Sequence, residues 1–248
     1  MAAGPERRNW DGALWSAGAV ALLAVVGAVV PLWIAHHYGA LETPRSDDWS
    51  YLRTLFTWRD TGHWDFNHWV SMTLIGQLLL ARGVIAFAGN SILAVRIMVA
   101  ALGVVGLWAI VPTARALGLP RRDGVLVALT MAACPLWGPL APTFMTDVPA
   151  FAVQMVALAF AIVGLRRRQV SLGYFAASLA VSYWAISIRQ YAIVPAIAIV
   201  LVYAIGAWRE GDRRQLQRIV GLTVILLIAT AFLLHWWNGI PNSRSFTP

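Results

Sequence analysis

The chain of 248 residues carries 19 basic and 11 acidic residues, which gives a net charge of +8, and 59% of its residues are hydrophobic. Only 12% are charged, whereas a soluble domain carries roughly 25%. The composition therefore excludes a surface solvated mainly by water and indicates one solvated by lipid. The positive charge does not indicate nucleic-acid binding, because the arginines cluster between apolar runs, as they do in the cytoplasmic loops of membrane proteins.

The first apolar run covers residues 13–34 and follows Arg7 and Arg8. A cleavable signal peptide has an apolar core of roughly 7–15 residues and ends at small residues. This run is longer, and Trp33 and His36 stand at its end instead. The pattern predicts an uncleaved signal anchor whose N-terminus lies in the cytoplasm.

A polar stretch, residues 36–91, follows as the predicted first exterior loop. Apolar side chains at i, i+3 and i+4 spacing within residues 48–60 predict a short helix there. Residues 69–87 are apolar enough to cross a membrane, but they include Gln77 and Arg82. We predict that this segment is a helix at the membrane interface, with Arg82 extended towards the lipid head groups.

Six further apolar runs predict membrane spans, at residues 92–117, 125–142, 148–165, 172–188, 191–207 and 219–237. Three of the connections between them are rich in arginine, at residues 121–122, 166–168 and 209–218. If residues 69–87 stay at the interface, these connections share the cytoplasm with the N-terminus, as the positive-inside rule requires. The sequence therefore predicts an all-α polytopic membrane protein of about seven transmembrane helices, folded as a single module over residues 1–248.

Two adjacent carboxylates open the predicted exterior loop, in the segment Ser46-Asp47-Asp48. Neighbouring carboxylates at a helix start point in different directions, so that one of them is able to act as a general base. A helix N-cap with a favourable dipole partner is the alternative explanation of the same residues. Both interpretations stay open on the pattern alone.

Two further candidates lie in short connections at the predicted exterior face. Asp147 stands between two spans and precedes Pro149, which favours either an ionisable functional group or a helix N-cap. Arg189 lies between two apolar runs on the side that the positive-inside rule does not favour. Its guanidinium suits a phosphate ligand, and extension to lipid phosphate is the alternative. A metal site at His63, Asp65 and His68 is a weaker hypothesis, because the spacing matches no standard ligand set.

Several segments, in this order and spacing, resemble the GT-C class of membrane glycosyltransferases. The first exterior loop begins with Asp47-Asp48-x-x-Tyr51, and matching segments follow at residues 87–96, 114–118 and 145–149. The closest branches in pattern are the protein O-mannosyltransferases and the aminoarabinose transferases. The resemblance covers residues 45–191.

The resemblance implies inverting transfer of a sugar from a polyprenyl-phosphate carrier to a glycan, lipid or protein acceptor on the exoplasmic face. It implies catalytic roles for Asp47 and Asp48. The substrate-binding residues that it implies are Asp147, Arg189, Tyr51, His68 and Gln190. His68 falls near a Glu-Lys pair of the aminoarabinose branch that here reads Asn67-His68, which leaves the sugar and a divalent metal ion open.

We expect the protein in a bacterial inner membrane, with its active face exoplasmic. Members of this class usually continue through further spans, so we expect a fragment, a split gene product or a minimal member. A non-catalytic membrane protein with the same fold, either half of a transporter or a scaffold, is the alternative. A transporter places polar groups near the midplane, whereas six acidic side chains here gather at one predicted surface, which favours the transferase.

Overall fold

The protein is described by a computed structural model over residues 5–45, 47–66, 70, 72–166 and 171–240. Throughout these ranges the regular secondary structure is helical, with no strand. The helices are α1 (Pro5–Ala24), α2 (Val30–His37), α3 (Asp48–Thr61), α4 (Ile75–Ala88), α5 (Ile92–Ala116), α6 (Arg121–Ala132), α7 (Trp137–Leu140), α8 (Asp147–Leu165), α9 (Leu172–Ile188), α10 (Ile193–Arg209) and α11 (Arg213–Gly239). A π-helical turn, Val25–Val29, joins α1 to α2, and a 3-10 turn, Gln190–Ala192, precedes α10.

Within the described residues, five helical stretches are long and apolar enough to cross a membrane. They are Trp15–His37, Ile92–Ala116, Asp147–Leu165, Gln190–Arg209 and Arg213–Gly239. Helix α9 is equally apolar but has 17 residues, or about 26 Å at 1.5 Å per residue. These helices confirm the predicted all-α polytopic fold.

The predicted span over residues 125–142 is not a single helix. Helix α6 ends at Ala132, and a turn leads to the four-residue helix α7. The cause is local: Pro135 and Pro139 lack the amide hydrogen that an α-helix needs, and their rings clash with the preceding turn. Helix α6 alone is about 18 Å long, which is shorter than the hydrocarbon core of about 30 Å.

The segment between the first span and α5 contains both predicted short helices. Helix α3 begins at Asp48 and ends where Gly62 takes a left-handed conformation, with φ of 75°, as C-terminal glycines commonly do. Helix α4 has 14 residues, about 21 Å, so it is too short for a full span. The guanidinium of Arg82 lies 5.5 Å from the centroid of the Trp58 ring, which places it over α3.

The site is positioned by a central layer in which α8 packs between α5 and α9. A Cβ at Gly106 would lie 2.5 Å from the Cα of Ala152, so the α5 and α8 backbones are in close contact there. Small residues permit such approaches between membrane helices. Because α8 and α9 run in opposite directions, the start of α8 and the end of α9 meet at one end of the bundle.

Candidate functional site

Asp47 is the residue before α3, but its carboxylate does not cap the helix. Its side chain accepts no capping hydrogen bond from the α3 backbone. Among the described residues, no hydrogen bond or ion pair to this partly exposed carboxylate is found. The predicted N-cap role therefore does not explain how the Asp47 side chain is used.

Asp48 lies in a different environment, because its side chain is fully buried against α5. The guanidinium of Arg96 donates to Asp48 Oδ2 at 2.6 Å, and the backbone N–H of Arg45 donates to Oδ1 at 2.5 Å. The two side chains are 0% and 1% exposed. Arg96 also donates to the carbonyl oxygens of Ala40 and Leu41, at 2.5 Å and 2.6 Å. Asp48 and Arg96 thus connect the start of the loop after the first span to α5.

Asp147 and Arg189 form an ion pair at the junction of α8 and α9. Asp147 is the first residue of α8, and Arg189 directly follows α9, so the packing of these helices brings them together. The two side chains stay 34% and 23% exposed, which leaves the pair accessible to a ligand. The Arg189 guanidinium also lies 5.1 Å from the centroid of the Tyr191 ring.

Tyr51 connects these groups. Its hydroxyl donates to the Sδ of Met72 at 3.3 Å, and its side chain is buried. Burial is the main cause that raises the pKa of Tyr51 to about 12, and the nearby charge of Asp47 raises it further. Arg189 lowers this pKa and Asp147 raises it, by smaller amounts. Asp47, Asp147 and Arg189 therefore all lie within electrostatic range of one phenol.

Residues just before and within the first turn of α4 fix this arrangement through three further hydrogen bonds. Thr146 donates to the Sδ of Met72 at 2.8 Å, so Met72 links Tyr51 to the start of α8. Thr73 donates to the carbonyl of Ile186 at 3.0 Å. The buried amide of Gln77 donates to the carbonyl of Phe144 at 3.1 Å.

Only some of these residues carry a signal in the sequence. A charged residue in an apolar span, such as Arg96, indicates a partner inside the protein, and a lone amide such as Gln77 indicates a buried hydrogen bond. Met72 and Thr73 carry no comparable signal, because methionine and threonine are ordinary in apolar surroundings.

The remaining predicted site residues make fewer contacts or lie outside the described residues. Gln190 begins the 3-10 turn and is half-buried beside Arg189. His68 lies outside the described residues, so the predicted metal set of His63, Asp65 and His68 is only partly placed. Asp65 is 3.9 Å from Arg53 across a solvent-exposed ion pair. In the described part of the chain, no group of three or more His, Cys, Asp or Glu side chains is arranged to hold a metal ion.

Gln154 is a further polar residue on the α8 face that carries Asp147, two turns along the helix. Its side chain approaches Tyr191. The amide Nε2 is buried and has no hydrogen-bond partner among the described residues. Such a group usually has a partner in native proteins, so Gln154 adds hydrogen-bonding capacity next to the ion pair.

Comparison with known proteins identifies one family. The model of the family described as dolichyl-phosphate-mannose-protein mannosyltransferase matches residues 75–237, about two thirds of the chain. The match extends from α4 into α11 and includes Asp147 and Arg189, whereas Asp47 and Tyr51 precede it. No curated protein and no solved structure matches the chain.

Proposed function

The chain belongs to the dolichyl-phosphate-mannose-protein mannosyltransferase family of GT-C-type membrane glycosyltransferases, and from this premise we propose a specific reaction. The protein transfers a sugar from a polyprenyl-phosphate carrier to an acceptor hydroxyl on the exoplasmic face, with inversion at the anomeric carbon. The observation that carries the proposal is the Asp147–Arg189 ion pair, whose charges act on Tyr51 together with that of Asp47.

Asp47 is the general base in this reaction. An acceptor hydroxyl is a weak nucleophile until a base takes its proton, and Asp47 is the nearby carboxylate without a protein partner among the described residues. Tyr51 does not compete for this role at neutral pH, because its pKa of about 12 keeps the phenol protonated. The charge of Asp47 acts on Tyr51, so an acceptor hydroxyl that contacts the phenol would lie near this base.

Arg189 binds the phosphate of the carrier. A guanidinium is planar and presents parallel N–H groups that match phosphate oxygens. Asp147 and the ring of Tyr191 hold the guanidinium in a fixed orientation. A fixed cation is effective where negative charge develops on the leaving group, because it needs no reorganisation during the step.

The proposed reaction is a single displacement at the anomeric carbon of the sugar. The acceptor oxygen forms a bond to the anomeric carbon while its proton passes to the Asp47 carboxylate. The bond between the anomeric carbon and the phosphate oxygen breaks, and the polyprenyl phosphate departs with the electron pair towards Arg189. Attack opposite the leaving group inverts the anomeric configuration.

Asp48 has a positioning role in this proposal, in place of the direct catalytic role predicted from the sequence. Its carboxylate is fully buried and bonded to Arg96 and to the backbone of Arg45. A group without exposure cannot contact a substrate, but this pair fixes the backbone that carries Asp47. Gln190 and Gln154 are proposed as hydrogen-bonding residues for the sugar.

The stereochemistry of transfer tests the proposed reaction. The purified full chain is supplied with radiolabelled polyprenyl-phosphate sugars, beginning with mannose because the family description names it, and with the matching nucleotide sugars as controls. We expect transfer from the lipid-linked sugar and not from the nucleotide sugar, with inversion of configuration at the anomeric carbon. Transfer from the nucleotide sugar, or retention of configuration, would contradict the proposal.

A further inference from the structure

A cavity of about 780 Å³ lies between the outer half of the first span and the broken segment that contains α7. Its walls are apolar, with Val26, Val30 and Ile34 on one side and Cys134, Leu140 and Met145 on the other. Its volume lies within the roughly 300–1,000 Å³ that ligand sites usually have. The cavity is separate from the Asp147–Arg189 pair, which does not line it.

Two irregular backbone segments form this cavity. The π-helical turn Val25–Val29 interrupts the first span, and the indole N–H of Trp137 donates to the carbonyl of Gly27 at 2.8 Å. On the facing wall the chain leaves helical structure after Ala132. Irregular backbone at membrane depth is tolerated where it is buried or lines a cavity, and π-helical turns are frequent at functional sites.

The shape and polarity of the cavity fit a hydrocarbon chain. The lining residues on the first span run from Val26 to Tyr38, which corresponds to about 18 Å along a helix. This is more than half of a hydrocarbon core about 30 Å thick. Val30 and Ile34 line the cavity and are still exposed, so the wall is open on the side that faces lipid.

The polar end of the cavity adjoins the candidate site. Arg45 is the single charged residue among the described lining residues, and no ion pair to its exposed side chain is found within the described ranges. It precedes Asp47 by two residues, and Met145, which also lines the cavity, precedes Asp147 by two. A chain in the cavity would therefore end beside Asp47, with a cation at its head.

We propose that the acceptor is a membrane lipid with an anionic head group, whose hydrocarbon chain occupies this cavity and whose head group pairs with Arg45. This inference rests on the proposed function. In an inverting displacement the leaving phosphate and the acceptor lie on opposite faces of the anomeric carbon. With the phosphate at Arg189 and the acceptor hydroxyl at Asp47, a chain that leads away from Asp47 past Arg45 belongs to the acceptor and not to the donor.

Photo-crosslinking of lipids to the full chain tests this assignment without a measurement of activity. The protein is placed in phosphatidylcholine vesicles that contain phosphatidylglycerol with a diazirine in its acyl chain, and the crosslinked peptides are identified by mass spectrometry. We expect crosslinks in residues 26–40 and 132–145. Arg45→Gln should lower the crosslinking yield about tenfold, because the variant loses the charge-assisted pair with the lipid head group. The control Arg122→Gln alters an exposed arginine outside the cavity and should leave the yield unchanged.

A second pair of variants tests the cavity itself. Ala133→Trp fills it, because Ala133 is an exposed lining residue, whereas Ala231→Trp places the same bulk on an exposed face of α11 outside it. Only Ala133→Trp should abolish the crosslinks. Equal crosslinking by diazirine-labelled phosphatidylcholine would overturn the anionic-lipid assignment. Preferential crosslinking of a labelled polyprenyl phosphate in the cavity would overturn the acceptor assignment and leave the proposed glycosyl transfer intact.

Discussion

At the scale of single residues, Asp47 and Asp48 show how two adjacent carboxylates acquire different roles. Successive residues at a helix start point about 100° apart, as 3.6 residues per turn requires. Asp48 faces inwards and meets Arg96, whereas Asp47 stays partly exposed near Tyr51. Burial and partners, not residue type, therefore separate a structural carboxylate from one that is available for proton transfer.

The Asp48–Arg96 pair should dominate the stability of this region. Asp48→Ala leaves the Arg96 charge buried without its partner, and such a loss costs about 3–5 kcal/mol. Asp65→Ala is the matched control, because its exposed pair with Arg53 is worth only about 0–1 kcal/mol. Thermal unfolding in detergent measures both. Equal midpoints for the two variants would contradict the structural role of Asp48.

Tyr51 should make the folded protein sensitive to alkaline pH. Its pKa of about 12 in the folded chain exceeds the value of about 10 of an unfolded tyrosine. The folded state thus binds the proton more tightly, so stability is complete below pH 10 and falls as the pH rises towards 12. Tyr51→Phe should reduce the loss of stability between pH 9 and 11.5. The control Tyr38→Phe, which alters an exposed ring, should leave that loss unchanged, and an unchanged loss in both variants would contradict the assignment.

At the scale of elements, the site depends on how closely α5, α8 and α9 pack. Asp147 and Arg189 belong to the ends of α8 and α9, and Arg96 lies in the first turns of α5. One member of an ion pair therefore lies within or directly beside the end of each helix, and the relative position of the helices sets the geometry of the site.

The contact at Gly106 is the most sensitive point of this packing. In Gly106→Ala the new methyl group would lie 2.5 Å from the Cα of Ala152, so α8 must move, and overpacking of this kind costs about 1–3 kcal/mol. We expect lower stability and lower transfer activity, because α8 carries Asp147. Gly221→Ala, on α11 with open space around the new methyl group, should retain both. Full activity and stability in Gly106→Ala would show that the close approach is unimportant.

At the scale of the whole molecule, the two ends of the bundle differ in charge. Arg121 and Arg213 begin helices at the end opposite to Asp147, and arginine-rich connections usually lie in the cytoplasm. In a Cys134→Ala background, Arg121→Cys should therefore react with an impermeant thiol reagent only from the inside. Asp65→Cys should react only from the outside. Labelling of position 121 from outside would contradict the proposed orientation.

Sequence patterns predict much of this fold, because helices that cross a lipid bilayer need long apolar runs, and such runs can be identified directly in the sequence. The break within residues 125–142 cannot be predicted in this way, because the average hydropathy of a segment does not depend on backbone hydrogen bonding. Pro135 and Pro139 interrupt that hydrogen bonding without making the segment less apolar. The placement of Asp147 beside Arg189 follows from the predicted order of spans. The burial of Asp48 does not, because it depends on Arg96, which lies 48 residues away in the chain.

The central claim is that Asp47 is the base of a glycosyl transfer, and the rate of transfer by Asp47→Asn tests it most directly. Asparagine keeps the size of the side chain but cannot accept the proton, so turnover should fall by about 10²–10⁴-fold, while binding of the polyprenyl-phosphate donor, measured separately, is retained. Asp65→Asn, at an exposed position of the same loop, should keep full turnover. Wild-type turnover in folded Asp47→Asn would contradict the account.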